Sequence, residues 1–375
     1  MSSSQPPPVK TIILTFDGTS NEFGDHNTNV VRFFSLLRKD QPWNQVIYYQ
    51  PGIGTYLAQG SGYSSLAMWY LKQVDKWLGW YLAAHIMDGY RFLMRNYRPG
   101  DKICLFGFSR GACTARCLAG MLNKVGLLIN YNDQQIEFAY KRYLDTSENG
   151  EERAKKFKKH FSVECEVRFL GVWDTVSSIG LRNLRHIPYT SGNKAVKIFR
   201  QALALDEWRR KYRPDFWFTV PEKTRKPGTA DGFVRKDQNE TNVLEVWFAG
   251  NHSDIGGGYD PDESEGNTSN PSLVWMLNQI LQTQVPIFFN KNAILDSQQW
   301  LGAEELPKED KPRIDVLAGF RPVYSRFTTK TPVRAPLHDE FRGNFAPIWW
   351  IIEVLSCGWF PVRRIEGHLH LYRKG

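Results

Sequence analysis

Cysteine is scarce in this sequence, and none of its spacings is a structural one. Cys104, Cys113, Cys117, Cys165 and Cys357 include no Cys-x-x-Cys pair and leave an odd count. That argues against a disulfide scaffold or a zinc knuckle and for a reducing compartment. Long apolar runs are also missing. The most apolar late segment, Phe345 to Phe360, contains Glu353 and is shorter than the ~20 residues a spanning helix needs. Met1 to Lys10 is rich in Ser and Pro without an apolar stretch, so it reads as a disordered lead-in rather than a secretory signal. No internal repeat is present. Neither Gly-x-Gly-x-x-Gly after the first strand nor Gly-Lys-Ser/Thr occurs, so the usual phosphate loops are excluded. A cytoplasmic location is expected, with peripheral membrane contact as the alternative.

What remains is ample core and scattered charge. The 375 residues are 42% hydrophobic and 14% aromatic, enough to bury a large interior. The net charge is +9, and its densest group is Arg153, Lys155, Lys156, Lys158 and Lys159. On a polar helical stretch such a group reads first as a solvated face, with attraction to an anionic surface as the sharper alternative. No nucleic-acid partner is expected.

Thr11 to Phe16, Gln45 to Gln50, Lys102 to Gly107, Val167 to Trp173 and Leu244 to Ala249 read as strands. Asn29 to Leu37 and Arg110 to Leu122 read as helices, and Leu66 to Tyr97 as a long helix interrupted near Gly79 and Gly89. Alternation of this kind predicts an α/β fold with a mostly parallel central sheet flanked by helices. Active sites in such sheets assemble at the carboxyl ends of the strands. Residues 11–375 are read as a single catalytic domain. Within it, a polar insertion spans about 221–242 and Asp260 to Asn270 forms an acidic, mobile loop.

The sharpest chemical signal is Gly107-Phe108-Ser109-Arg110-Gly111. An apolar strand precedes it and a small-residue helix, Ala112 to Leu122, follows. A sharp strand-to-helix turn needs small residues on both sides of a nucleophilic serine, and it lifts the hydroxyl to the positive helix N-terminus. The plainer alternative is Ser109 as a helix N-cap. His252, in Gly250-Asn251-His252-Ser253-Asp254 at a strand end, comes after the serine, as a hydrolase base should. Three acids could orient it. Asp174 ends the strand VRFLGVW. Asp206 lies in Ala202 to Arg210, read as helical, where a salt bridge to Arg209 or Arg210 is its alternative. Asp254 would point the same way as His252 if the strand end were extended. The Arg110 N–H and the Gly18–Thr19 loop are candidate oxyanion donors, an Asx-turn at Asp17 being the simpler reading of that loop.

These residues sit in a longer pattern: FDGT at Phe16 to Thr19, YQPGIGT at Tyr49 to Thr55, LFGFSRGA at Leu105 to Ala112, GVWDTV at Gly171 to Val176, ALDEWR at Ala204 to Arg209 and GNHSDIGGGY at Gly250 to Tyr259. The pattern resembles the uncharacterised α/β-hydrolase domain family that also supplies the catalytic domain of type VI secretion phospholipase effectors of the Tle1 type. The resemblance implies an α/β-hydrolase-like fold, a Ser–Asp–His triad and, for the secreted bacterial relatives, phospholipase activity. Position by position, Ser109 matches the nucleophile and His252 the histidine, while the acid falls on Asp174 or Asp206.

The leading expectation is a serine hydrolase acting on a carboxylic ester, a lipid, phospholipid or other small-molecule ester, with no cofactor and no metal. Tyr56, Tyr63, Met68, Trp69, Tyr70, Trp77, Trp80 and Tyr81 could line a lid or acyl pocket, and core packing explains them equally well. Phe345 to Phe360 could dock at a membrane interface or form a buried C-terminal helix. The competing class is a binding or scaffold protein that keeps the hydrolase fold without turnover. A phosphodiesterase would need a metal–carboxylate cluster, for which Asp17, Asp174 and Asp254 are the available acids.

Overall fold

A computed structural model describes residues 8–18, 24–52, 66–176, 178–179, 182–183, 187–209, 212–217, 241–262, 264, 266–305, 324–329 and 338. Six strands make one parallel sheet: β1 (Thr11–Phe16), β2 (Gln45–Gln50), β3 (Lys102–Phe108), β4 (Val167–Trp173), β5 (Ile198–Ala204) and β6 (Asn242–Phe248). Their order is β6-β5-β4-β3-β1-β2. The helices in chain order are α1 (Asn29–Leu36), α2 (Leu66–Asn96), α3 (Arg110–Val125), α4 (Ile136–Leu144), α5 (Gly150–Phe161), α6 (His252–Gly256), α7 (Asn270–Gln282) and α8 (Lys291–Asp296). Among the described residues, no helix is long and apolar enough to cross a membrane.

Helices cover both faces, so the inner strands are buried along their length instead of alternating with solvent. The pleat divides their side chains between two cores. Ile12, Leu14, Phe16, Ile103 and Leu105 pack with residues of α2, α3 and α4. Ile13, Cys104, Phe106 and Phe108 face the opposite way, against α1 and α7.

The chain first runs outward from β1 to β2, then returns across the sheet to β3. The strand order therefore reverses between β1 and β3, where an open parallel sheet leaves a crevice at its carboxyl edge. Register aligns the strand ends there. Phe16 pairs with Gly107, Phe108 with Trp173, and Trp173 with Ala202. The next residues along each chain segment, Asp17, Ser109 and Asp174, are thus delivered to one edge.

Four expectations change. Ala202 to Ala204 are the end of β5, not a helix, so Asp206 sits in the turn beyond a strand. The segment read as helical is rich in Ala and Leu, residues that favour helix. The buried Arg200 and Gln201 hid the strand, because their polar ends find partners inside, on Gln279, Asn242, Glu245 and the Asp215 carbonyl. α2 is continuous across Gly79 and Gly89. At Gly89 an added Cβ would lie 2.9 Å from the Phe16 ring, so that glycine allows a close approach rather than a break. His252 begins a one-turn helix instead of ending an extended strand. The acidic segment from Asp260 is tied down: Asp260 accepts from Thr268 N–H at 2.9 Å, and Asp262 accepts from the Asn27 backbone and side chain at 2.8 and 2.6 Å. The lead-in ends in a buried Lys10 paired with Asp101. Residues 1–7, residues 221–240 of the polar insertion, and Phe345 to Phe360 lie outside the described residues, as do the side chains of the aromatic stripe before Gly79; the last residue of the insertion, Asn242, opens β6.

Candidate active site

Ser109 joins β3 to α3 with φ 58° and ψ −122°, a left-handed backbone that a residue with a Cβ rarely adopts. Its backbone is locked from two sides. The N–H donates to Trp173 O at 3.1 Å, and the carbonyl accepts from Cys113 and Val176 N–H, each at 3.3 Å. The glycines around it are steric requirements. A Cβ on Gly111 would lie 2.2 Å from the Phe16 carbonyl oxygen and 2.5 Å from that of Asp17, and one on Gly107 would lie 2.5 Å from the Gly111 carbonyl oxygen. The end of β1 is thereby pressed against the start of α3. Ser109 makes no side-chain bond to the helix it precedes, so it is not acting as an N-cap.

His252 is set by α6. Asn251 caps this single turn, accepting from the Ser253 and Asp254 N–H groups while Asp254 Oδ2 accepts from Asn251 N–H at 2.9 Å. This is the reciprocal capping box. The imidazole Nδ1 lies 2.6 Å from Asp174 Oδ2. Asp174, also at positive φ (38°), is held by its N–H to Ala202 O at 2.8 Å and by Ala204 N–H on its other carboxylate oxygen at 3.1 Å. A carboxylate only accepts, so Nδ1 carries the proton and Nε2 presents a lone pair. Nε2 is buried without a hydrogen bond. The ring packs against Phe108, the neighbour of Ser109, at 4.6 Å between centroids.

Two further groups frame the histidine. Glu207 Oε2 accepts the His252 N–H at 3.3 Å while the carboxylate holds Arg209 through Nε and Nη2 at 2.8 and 2.6 Å. Tyr212 meets the His252 ring edge-on at 4.9 Å and lies under the Arg209 guanidinium at 3.9 Å. Sequence reasoning missed this trio. Glu207 and Arg209 stand in the ALDEWR motif, but reading that motif as a helix concealed that it follows the end of β5 and runs past His252.

The other sequence candidates have different partners. Asp206 accepts the Gly250 N–H at 2.7 Å and returns its own N–H to the Gly250 carbonyl at 3.0 Å. Asp254 is spent on the α6 cap, on Thr268 Oγ1 at 2.8 Å and on His338 Nδ1 at 2.6 Å. Asp17 accepts from Gly18 N–H at 2.6 Å, Thr28 Oγ1 at 2.7 Å and Tyr49 Oη at 2.8 Å. Burial raises its pKa to about 6 against the lowering effect of those three bonds. The Gly18 N–H is therefore engaged by the Asp17 carboxylate, and Thr19 lies outside the described residues. Arg110, at the first position of α3, is partly buried. Asp17, Asp174 and Asp254 each serve a separate network, and among the described residues no His, Cys, Asp and Glu side chains group as a metal site.

Comparison with known proteins adds three findings. The family model described as T6SS, phospholipase effector Tle1-like, catalytic domain matches residues 10–279. An uncharacterised protein of Saccharomyces cerevisiae, YEL023C, is 37% identical over 225 residues, which make up 56% of this chain and 33% of the yeast protein. The chain thus spans about a third of the length of that relative. A solved structure of an uncharacterised protein from Pseudomonas aeruginosa superposes with a TM-score of 0.42 at 18% identity, over 77% of this chain and 48% of that one.

Proposed function

This chain belongs to the Tle1-like phospholipase effector catalytic domain family, and from that premise we propose that it is a serine hydrolase cleaving a carboxylic ester of a lipid. The carrying observation is the buried His252–Asp174 hydrogen bond, which leaves Nε2 unbonded next to the residue before Ser109. Ser109 is the nucleophile, His252 the base and Asp174 the acid that fixes its tautomer.

In the reaction, His252 Nε2 accepts the Ser109 Oγ proton as Oγ bonds to the ester carbonyl carbon. Negative charge on the carbonyl oxygen meets the Arg110 N–H, which has no intrahelical partner at the start of α3. With the Gly18 N–H held by Asp17, Thr19 is the candidate second donor from the loop after β1. The intermediate collapses, His252 protonates the departing alcohol, and an acyl-Ser109 remains. Water then takes the place of the departed alcohol and attacks the acyl carbon while His252 accepts its proton, and that proton returns to Ser109 Oγ as the acyl–Oγ bond breaks, giving the fatty acid and free serine. In an unliganded site the Ser109–His252 bond is commonly open, closing when substrate arrives.

Hydrolysis of esters and phospholipids by the full chain, with Ser109→Ala as control, tests this reading. Fluorophosphonate labelling of Ser109 that depends on His252 is the expected companion result. Absence of both turnover and labelling in folded protein would instead support a scaffold that keeps the fold alone.

A further inference from the structure

Arg110 combines three unfavourable placements. It is the first residue of α3, where the helix dipole repels a cation. It is partly buried, and desolvation lowers its pKa. Among the described residues its guanidinium has no acidic partner and no hydrogen-bond acceptor, the Tyr212 phenol being the group that acts on its charge. The acids that could neutralise it are committed elsewhere: Asp174 to His252, Glu207 to Arg209, Asp17 to Thr28 and Tyr49. Arginine is not needed for the turn, since the steric constraints fall on Gly107 and Gly111. A guanidinium with no acidic partner among the described residues gains one when an anion arrives with the substrate.

We propose that the Arg110 side chain is a specificity determinant that binds the phosphodiester of a glycerophospholipid whose acyl ester lies at Ser109. This rests on the hydrolase reading above and names its substrate class. The chemistry fits the placement. In a glycerophospholipid the phosphate is only a glycerol carbon or two from the ester that is cut, and Arg110 directly follows Ser109 at the first position of α3, while Tyr212, whose phenol is near enough to act on the Arg110 charge, stands edge-on to His252. A guanidinium also matches the paired oxygens of a phosphodiester through parallel N–H donors, which an ammonium cannot do.

The test compares dioleoyl phosphatidylcholine with dioleoylglycerol in the same neutral mixed micelles, so that the cleaved ester and acyl chains are constant. For wild type, Arg110→Gln and Arg110→Lys, the readout is the ratio of kcat/KM for the two substrates. Arg110→Gln should lower that ratio about 10- to 100-fold, the range of a lost charge-assisted hydrogen bond, and Arg110→Lys should recover part of it. A second measurement is independent of turnover. Calorimetric binding of glycerophosphocholine to Ser109→Ala should weaken at least about tenfold when Arg110→Gln is added. An unchanged ratio, or equal affinities of the two Ser109→Ala proteins, overturns the assignment. A wild type that cleaves neither lipid would refute the hydrolase reading, while the binding pair would still decide the role of Arg110.

Discussion

The three candidate acids have very different surroundings, and that difference sets what each substitution should do. Asp174 gives one oxygen to Ala204 N–H and the other to the imidazole. Asp174→Asn keeps an acceptor for Ala204 but lets an amide N–H face His252, which favours the wrong tautomer. Turnover should fall by up to about four orders of magnitude with the fold retained by circular dichroism. Asp206→Asn disturbs only the turn around Gly250 and should cost less than about tenfold. Equal losses would refute the assignment of Asp174. Asp17 gives a separate pH test. Its folded pKa is raised from 3.8 to about 6 by burial, so the stability it contributes is complete below about pH 4 and lost as pH rises through about 6. Asn at this position cannot ionise. The stability of Asp17→Asn relative to wild type should therefore grow by up to about 3 kcal/mol between pH 4 and pH 7, measured by urea unfolding. A pH-independent difference would remove burial of that carboxylate from the account.

At the scale of elements, what holds Ser109 in place is contact between backbones. Gly111 lies against the β1 carbonyls of Phe16 and Asp17, whereas a Cβ on Gly24 would meet nothing within 4 Å. Gly111→Ala cannot be relieved by a side-chain rotation, so it must part α3 from β1. It should destabilise the chain by several kcal/mol and abolish turnover, while Gly24→Ala should change stability by no more than about 0.5 kcal/mol. Thermal or urea unfolding of the two variants side by side checks the contrast. The same elements show how far the sequence could be read. β1, β2, β3 and β4 were legible because each is a short apolar run bounded by turn residues. β5 was not, since a fully buried strand carrying Arg200 and Gln201 has no apolar period to detect. Its polar side chains are satisfied by residues far away in sequence, which only the assembled sheet supplies.

Across the whole molecule, the local pattern of the elbow was readable, but the convergence of three strand ends and a late loop was not. Ser109 announces itself by its own neighbours. His252 is readable from its place after the serine, but which acid meets it is not: Asp174, rather than Asp206 or Asp254, reaches its ring only when β4 and β6 take their places in the sheet order. Closure also involves a residue beyond the matched family region, His338. Its ring donates to Asp254 Oδ1 at 2.6 Å, its N–H donates to Asp254 Oδ2 at 3.2 Å, and its carbonyl accepts from Asn251 Nδ2 at 3.1 Å. These bonds fasten the late chain to both capping residues of the turn that presents His252. The His338 ring also lies on Tyr259 at 4.5 Å. His338→Ala removes the ring bond and the stacking but leaves Asp254 with Thr268 and Asn251, so the buried carboxylate is not orphaned. The expected cost is about 1–2 kcal/mol of stability, the low end for a hydrogen bond to a charged group because the His338 side chain is exposed in part. Because α6 is then held at fewer points, kcat should fall severalfold while KM changes little, a signature of a mispositioned base rather than a lost substrate contact. His338→Gln, which can still donate to Asp254, should restore part of both. Wild-type kcat and stability in His338→Ala would show that α6 holds His252 without the late chain.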